Sequence, residues 1–121
     1  MKIYSWNVNG IRAIKNKGFI EWVEGEQPDV LCLQETKIQE EQISDELKNI
    51  EGYYSYFCCA QKKGYSGVAI YTKQKPISVM QGIGIEKFDS EGRILIAEFE
   101  NFTLFNKIGR ASCRERVFAG C

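Results

Sequence analysis

Two stretches decide how this chain is read: Ser5-Trp6-Asn7-Val8-Asn9-Gly10-Ile11-Arg12-Ala13, and Pro28-Asp29-Val30-Leu31-Cys32-Leu33-Gln34-Glu35-Thr36-Lys37. Each runs apolar and then ends on a polar side chain, Asn7 in the first and Glu35 in the second. Strands that bring an amide and a carboxylate to one sheet edge make a seat for a hard divalent cation, which prefers oxygen ligands. Read by position alone, Glu35 is as well explained as a strand-terminal charge in water, and Asn7 as a turn former.

Working outward, the chain alternates strands and helices at first and then turns to consecutive strands. Lys2–Val8 reads as a strand broken by Gly10, and Phe19, Ile20 and Val23 give the next stretch an apolar helical stripe that Pro28 closes. Asp29–Gln34 is a strand buried on both faces, since Val30-Leu31-Cys32-Leu33 leaves no polar alternation. Glu40–Asn49 reads as an amphipathic helix, with Ile43, Leu47 and Ile50 at helical spacing. Beyond Gly52, strands are expected at Tyr53–Ala60, Val68–Thr72, Ile77–Gln81, Arg93–Phe99 and Phe102–Asn106. Turns fall at Lys63–Gly67, Lys75-Pro76 and Asp89–Gly92, and Glu100-Asn101 predicts a tight hairpin. The order predicts an α/β layer: one mixed sheet with helices on one face, the other face lacking a cover. Trp6, Phe19, Trp22 and Tyr71 are expected in the core.

The composition is that of a globular domain, 44% hydrophobic and 26% charged over 121 residues, enough for one domain with a modest core. No apolar run approaches the ~20 residues that span a bilayer. Ser5 and Asn7 interrupt the place where a signal peptide would be apolar, so a soluble, cytoplasmic protein without membrane contact is expected. The five cysteines (32, 58, 59, 113, 121) show no CxxC spacing, and with no histidine in the chain a zinc site is not expected. Their odd number argues against a full disulfide framework and for a reducing compartment. Cys58 and Cys59, being adjacent, should face opposite sides of a strand. Without residues 107–121 the chain has 12 basic against 15 acidic residues, a net charge of −3. Any phosphate attraction must therefore come from local clusters such as Arg12/Lys15/Lys17 and Lys62/Lys63.

The strings SWNVNGIRA and PDVLCLQETK, joined by KKGYSGVA at Lys62–Ala69, resemble the exonuclease III type of apurinic/apyrimidinic (AP) endonuclease, in the endonuclease/exonuclease/phosphatase superfamily. The resemblance covers Met1 to about Asn106. GIRA, LQETK and KKGYSGVA point to the DNA-repair branch over sphingomyelinase-like or inositol-phosphatase-like members. It implies half of a four-layer α/β sandwich, roughly one of two facing sheets. It also implies a Mg²⁺-dependent phosphodiesterase, with Mn²⁺ as a substitute, acting on double-stranded DNA at abasic sites or 3′ ends, and monomeric in full-length form. Glu35 is then a catalytic metal ligand, with Asn7 beside metal and scissile phosphate. Where some relatives carry an Asp, this chain has Asn9. Arg12, Lys37, Lys63 and Tyr65 become DNA contacts, and the Asp89–Arg93 turn a structural element.

The same resemblance implies groups in a second half, namely a Tyr soon after the strand ending at Asn106, an Asp-x-Asn motif and a late Asp-His. This chain has no histidine and no Asp after Asp89, so as written it is expected to be a truncated, inactive fragment. From Ile108 the sequence IGRASCRERV loses strand periodicity, and one choice of codons for it spells a common sequencing-adapter oligonucleotide. Residues 1–106 are accordingly expected to be the domain, and 107–121 a foreign tail. The alternative reading is a non-catalytic module that holds DNA or a partner protein with its sheet face and the KKGYSG loop.

Overall fold

The computed structural model describes residues 1–81 and 92–108. Strand β1 (Ile3–Asn7) leads into two short helices, α1 (Ile11–Lys15) and α2 (Phe19–Glu26). The helical stretch is broken because Gly18 turns left-handed at φ 101°. It ends at Gln27, also left-handed, whose N–H caps Val23 O, one residue before the expected stop at Pro28. Next come β2 (Val30–Gln34), a 3₁₀ turn (Glu40–Gln42), α3 (Asp45–Lys48), β3 (Tyr54–Cys58) and β4 (Val68–Thr72). Then follow β5 (Ser78–Gln81), β6 (Ile94–Glu98) and β7 (Thr103–Lys107).

The single helix expected over Glu40–Asn49 is two pieces. Ser44 adopts extended backbone and its hydroxyl accepts the Leu47 N–H at 3.3 Å, capping a new helix start. Leu47 is still buried and Ile43 still packs on the core, so the apolar spacing was real although the helix is not continuous.

β1, β2, β4 and β3 form a four-stranded mixed sheet in that order, β1–β2 parallel and the other pairs antiparallel. The α/β class and its mixed sheet with flanking helices are as expected. The expectation that all the strands share this sheet is corrected, because β5, β6 and β7 form a separate antiparallel sheet. So is the expectation that one face lacks a cover. On one face, Leu31, Leu33, Ala69 and Tyr71 meet Ile11, Phe19 and Val23 of the helices. On the other, Val30, Cys32, Val68 and Ile70 meet Leu95, Ala97 and Phe99 of the second sheet. Every residue of β2 and of β4 is buried, consistent with strands covered on both sides. Burying each such side chain contributes about 1.5–3 kcal/mol. The chain thus holds part of both sheets of a sandwich rather than one of them.

Cys58 packs toward the second sheet and Cys59 toward the helices, on opposite sides as expected. Phe19 and Tyr71 are fully buried, while Trp6 and Trp22 are half-buried against the core. The β6–β7 hairpin turns at Glu100-Asn101, with Phe99 N–H bonded to Phe102 O at 2.8 Å. Lys107 ends β7 and Ile108 N–H bonds to Arg93 O at 2.8 Å. The expected foreign tail lies, from residue 109 onward, outside the described residues, as does the Asp89–Glu91 part of the expected turn.

Candidate active site

In the parallel β1–β2 pair Asn7 is the register partner of Gln34, so Asn7 and Glu35 leave the sheet side by side. Asn7 Nδ2 donates to Glu35 Oε2 at 3.0 Å, and Asn7 Oδ1 accepts the Asn9 N–H at 3.0 Å. The second contact is the local turn that Asn favours at a strand end, and here it also fixes which edge of the amide faces the carboxylate. Lys37 reaches back, its Nζ donating to Asn9 Oδ1 at 2.6 Å and lying 3.9 Å from Glu35 Oε1. Glu35 and Lys37 are 36% and 39% exposed, so the cluster is open to a ligand.

The backbone beneath is laced together. Val8 N–H bonds to Gln34 O, Gly10 N–H to Glu35 O and Ile11 N–H to Thr36 O, at 3.0, 2.8 and 2.9 Å. The start of α1 is thereby tied to the end of β2. The Lys62–Gly67 loop closes from the other side, with Thr36 N–H bonded to Gly67 O at 3.1 Å and Lys37 N–H to Ser66 O at 2.8 Å. Tyr65 lies half-buried in that loop. Its hydroxyl accepts from Arg93 at 2.6 Å, with the Lys62 ammonium 5.3 Å and the Arg93 guanidinium 5.6 Å from its ring centre.

The structure therefore brings together Asn7, Asn9, Glu35 and Lys37, and sets the loop of Lys63 and Tyr65 against the same strand end. Arg12 is exposed on α1, which begins there. Lys15, grouped with it in sequence, is engaged by Glu46 at 2.8 Å, so that cluster offers less charge than its composition suggested.

Sequence reading missed a buried network just below. Asn106, 1% exposed, donates from Nδ2 to Leu33 O at 3.1 Å and Ala69 O at 2.7 Å, and accepts Gln34 Nε2 at 2.9 Å. Gln34 Nε2 also donates to Ser5 Oγ at 3.0 Å. Asn106 thus bolts β7 of the second sheet to β2 and β4 of the first, one residue short of Glu35. A polar residue closing the apolar run before Glu35 was a signal for Gln34; nothing local marked Asn106 as buried.

Among the described residues no group of three or more His, Cys, Asp or Glu side chains could hold a metal. The donor set present is one carboxylate beside one amide. That is too little for an all-protein cage, but it suits Mg²⁺, which keeps several waters and binds through one or two carboxylates plus substrate phosphates.

The endonuclease/exonuclease/phosphatase family model matches residues 4–118. The chain is 48% identical over 102 residues to the exodeoxyribonuclease of Bacillus subtilis (strain 168), an alignment covering 84% of this chain and 39% of that protein. It is 47% identical over 106 residues to a DNA-(apurinic or apyrimidinic site) endonuclease of Dictyostelium discoideum, covering 88% of this chain and 29% of the other. Its fold superposes on an AP endonuclease from Archaeoglobus fulgidus with a TM-score of 0.75 at 28% identity, covering 95% of this chain and 45% of that one. The chain therefore spans less than half the length of each. By the match along nearly its whole length, it belongs to the endonuclease/exonuclease/phosphatase family.

Proposed function

We propose that this chain is the cation-holding part of a DNA-repair nuclease, an AP endonuclease and 3′–5′ exodeoxyribonuclease acting on double-stranded DNA at abasic sites or 3′ ends. Nucleases of this family generally depend on a divalent metal ion. Mg²⁺ is the ion proposed, with Mn²⁺ able to replace it. The observation that carries the reading is the Asn7–Glu35 pair, amide to carboxylate at 3.0 Å across the ends of two parallel strands. Its relatives include an exodeoxyribonuclease and an endonuclease of apurinic or apyrimidinic sites, which supports the substrate class.

Glu35 would hold the cation with its carboxylate and Asn7 would assist with its side-chain amide. When bound, the ion polarises a phosphoryl oxygen and offsets charge that develops in hydrolysis. The protein's own groups do the rest. Lys37 presents an ammonium beside Glu35 for a phosphate, and Arg12 and Lys63 add exposed positive charge for the flanking backbone. Tyr65, held by Arg93, offers a rigid aromatic edge to a groove. No histidine is present to pair with an aspartate, so cleavage is proposed for the whole protein and not for these residues alone. A reducing, cytoplasmic setting and a monomeric whole protein belong to the same proposal; the odd number of cysteines supports the first.

The test is a duplex oligonucleotide carrying one abasic site, titrated with the chain in Mg²⁺ and followed by fluorescence anisotropy against an undamaged duplex. Binding that falls with salt and prefers the abasic duplex is the expected result. No binding at low salt would overturn the reading.

A further inference from the structure

Among the described residues, five that are not glycine have positive φ: Asn9 (49°), Gln27 (53°), Glu35 (57°), Lys37 (53°) and Ser66 (56°). Gln27 closes a helix. The other four are Glu35 itself and three residues around the Asn7–Glu35 pair. Side chains with a Cβ resist this conformation, and it persists where the surroundings over-determine it.

Here the determining contacts can be named. On one side Gly10 and Ile11 hold the carbonyls of Glu35 and Thr36; on the other, Gly67 O and Ser66 O hold the N–H groups of Thr36 and Lys37. The turn is itself anchored, since Gly67 N–H bonds to Gly92 O at 3.0 Å and Ser66 Oγ lies 3.4 Å from the same carbonyl. Contact across this joint is close: a Cβ on Gly67 would stand 2.3 Å from Thr36 Oγ1 and 3.5 Å from Lys37 N. That Thr36 hydroxyl is buried and has no hydrogen-bond partner among the described residues, and it stands as a wall against the glycine.

We infer that the Ser66–Gly67 turn is a positioning element for Glu35, a clasp whose two carbonyls set the carboxylate against Asn7. The inference rests on the reading of Glu35 as a cation ligand. It gives the KKGYSG loop a second task beyond DNA contact. A nucleic-acid backbone touching Lys63 or Tyr65 would press on the same turn that holds Glu35, linking DNA contact to cation affinity.

The test uses the ¹⁵N-labelled chain and follows the Asn7 side-chain amide by NMR, with Mn²⁺ alone as the metal probe. In the wild type this amide should stand apart from solvent-exposed Asn amides and broaden at the lowest Mn²⁺ concentrations. In Gly67→Ala it should move to the exposed-amide position, and Mn²⁺ affinity should fall about tenfold or more, the range found when groups orienting a metal ligand are removed. Core amides such as those of Tyr71 and Leu95 should stay in place. The double variant Gly67→Ala/Thr36→Ala removes the wall but keeps an Ala at φ 91°, so it should bring the Asn7 signal part of the way back, and it carries the test if the single variant does not fold. An unchanged Asn7 signal in folded Gly67→Ala would overturn the inference. So would a double variant that folds but leaves the Asn7 signal fully at the exposed-amide position. A wild type that shows the Asn7 signal yet takes up no Mn²⁺ would overturn the cation reading instead, and the clasp would then be judged on the Asn7 signal alone.

Discussion

Asn7 and Glu35 meet across the ends of parallel strands β1 and β2, the amide of one donating to the carboxylate of the other at 3.0 Å. Neither side chain belongs to a dense acidic cluster, and Lys37 lies 3.9 Å from the carboxylate. One carboxylate therefore bears most of any cation affinity. Glu35→Ala should abolish saturable Mn²⁺ binding by this chain, measured by electron paramagnetic resonance. In a protein that includes the remaining catalytic groups it should lower cleavage at least about a hundredfold, because metal polarisation contributes several kcal/mol and each ~1.4 kcal/mol is a factor of ten. Unchanged cleavage would remove Glu35 from the site.

Lys63 is exposed at the edge of the loop that packs against the site. As a phosphate contact, it should contribute to affinity without reading sequence. Lys63→Ala should weaken binding to all duplexes alike and lower the salt slope by about one. A loss confined to abasic duplexes would place Lys63 at the lesion instead.

Asn106 is buried, and both donors of its amide as well as its oxygen are engaged. Asn106→Leu keeps the branched shape but takes one acceptor from the Gln34 amide, which retains Ser5 Oγ, and removes the donor from two strand carbonyls. A loss of about 1–3 kcal/mol is expected, the usual cost of leaving a buried polar group unpaired. Urea unfolding measures it, and a midpoint equal to that of the wild type would show that the network contributes nothing.

Asp29 binds the start of the chain, its Oδ2 accepting the Lys2 N–H at 2.7 Å. That bond, followed by the nearby charges of Lys73, the N-terminus and Lys2, holds the carboxyl below its usual range against an opposing desolvation. Because the folded value is the lower one, the stabilisation is complete above the unfolded value of about 3.9 and fades as pH falls through the folded one. Asp29→Asn should therefore lower stability at neutral pH, leave strongly acid pH less affected, and so flatten the acid limb of a plot of stability against pH. An acid limb equally steep in both proteins would count against this linkage.

What could be read from residues alone follows from where the physics is local. Val30-Leu31-Cys32-Leu33 announces a doubly covered strand because no polar residue interrupts it, and the structure buries all of it. Asn7 and Glu35 could be picked out because each ends such a run. The left-handed backbone at Glu35 could not, since it is imposed by partners at Gly10, Ser66 and Gly67 that lie far along the chain. The division into two sheets was equally hidden. Ile94–Glu98 and Thr103–Lys107 alternate as any half-buried strand does, and alternation does not say which sheet a strand joins. Ser44-Asp45-Glu46 did carry a helix-start signal, and the apolar spacing of Ile43, Leu47 and Ile50 masked it.

The clasp on Glu35 has a consequence in time. β1 and β2 emerge from a ribosome early, and with them both proposed cation ligands. The turn that sets their posture follows only after α3 and β3 have been made, and its own anchor, Gly92, comes later still. At synthesis rates of about 5–20 residues per second, a nascent chain spends seconds carrying the ligands without the geometry to use them. Competence would then arrive late and abruptly, when the second sheet docks on the first.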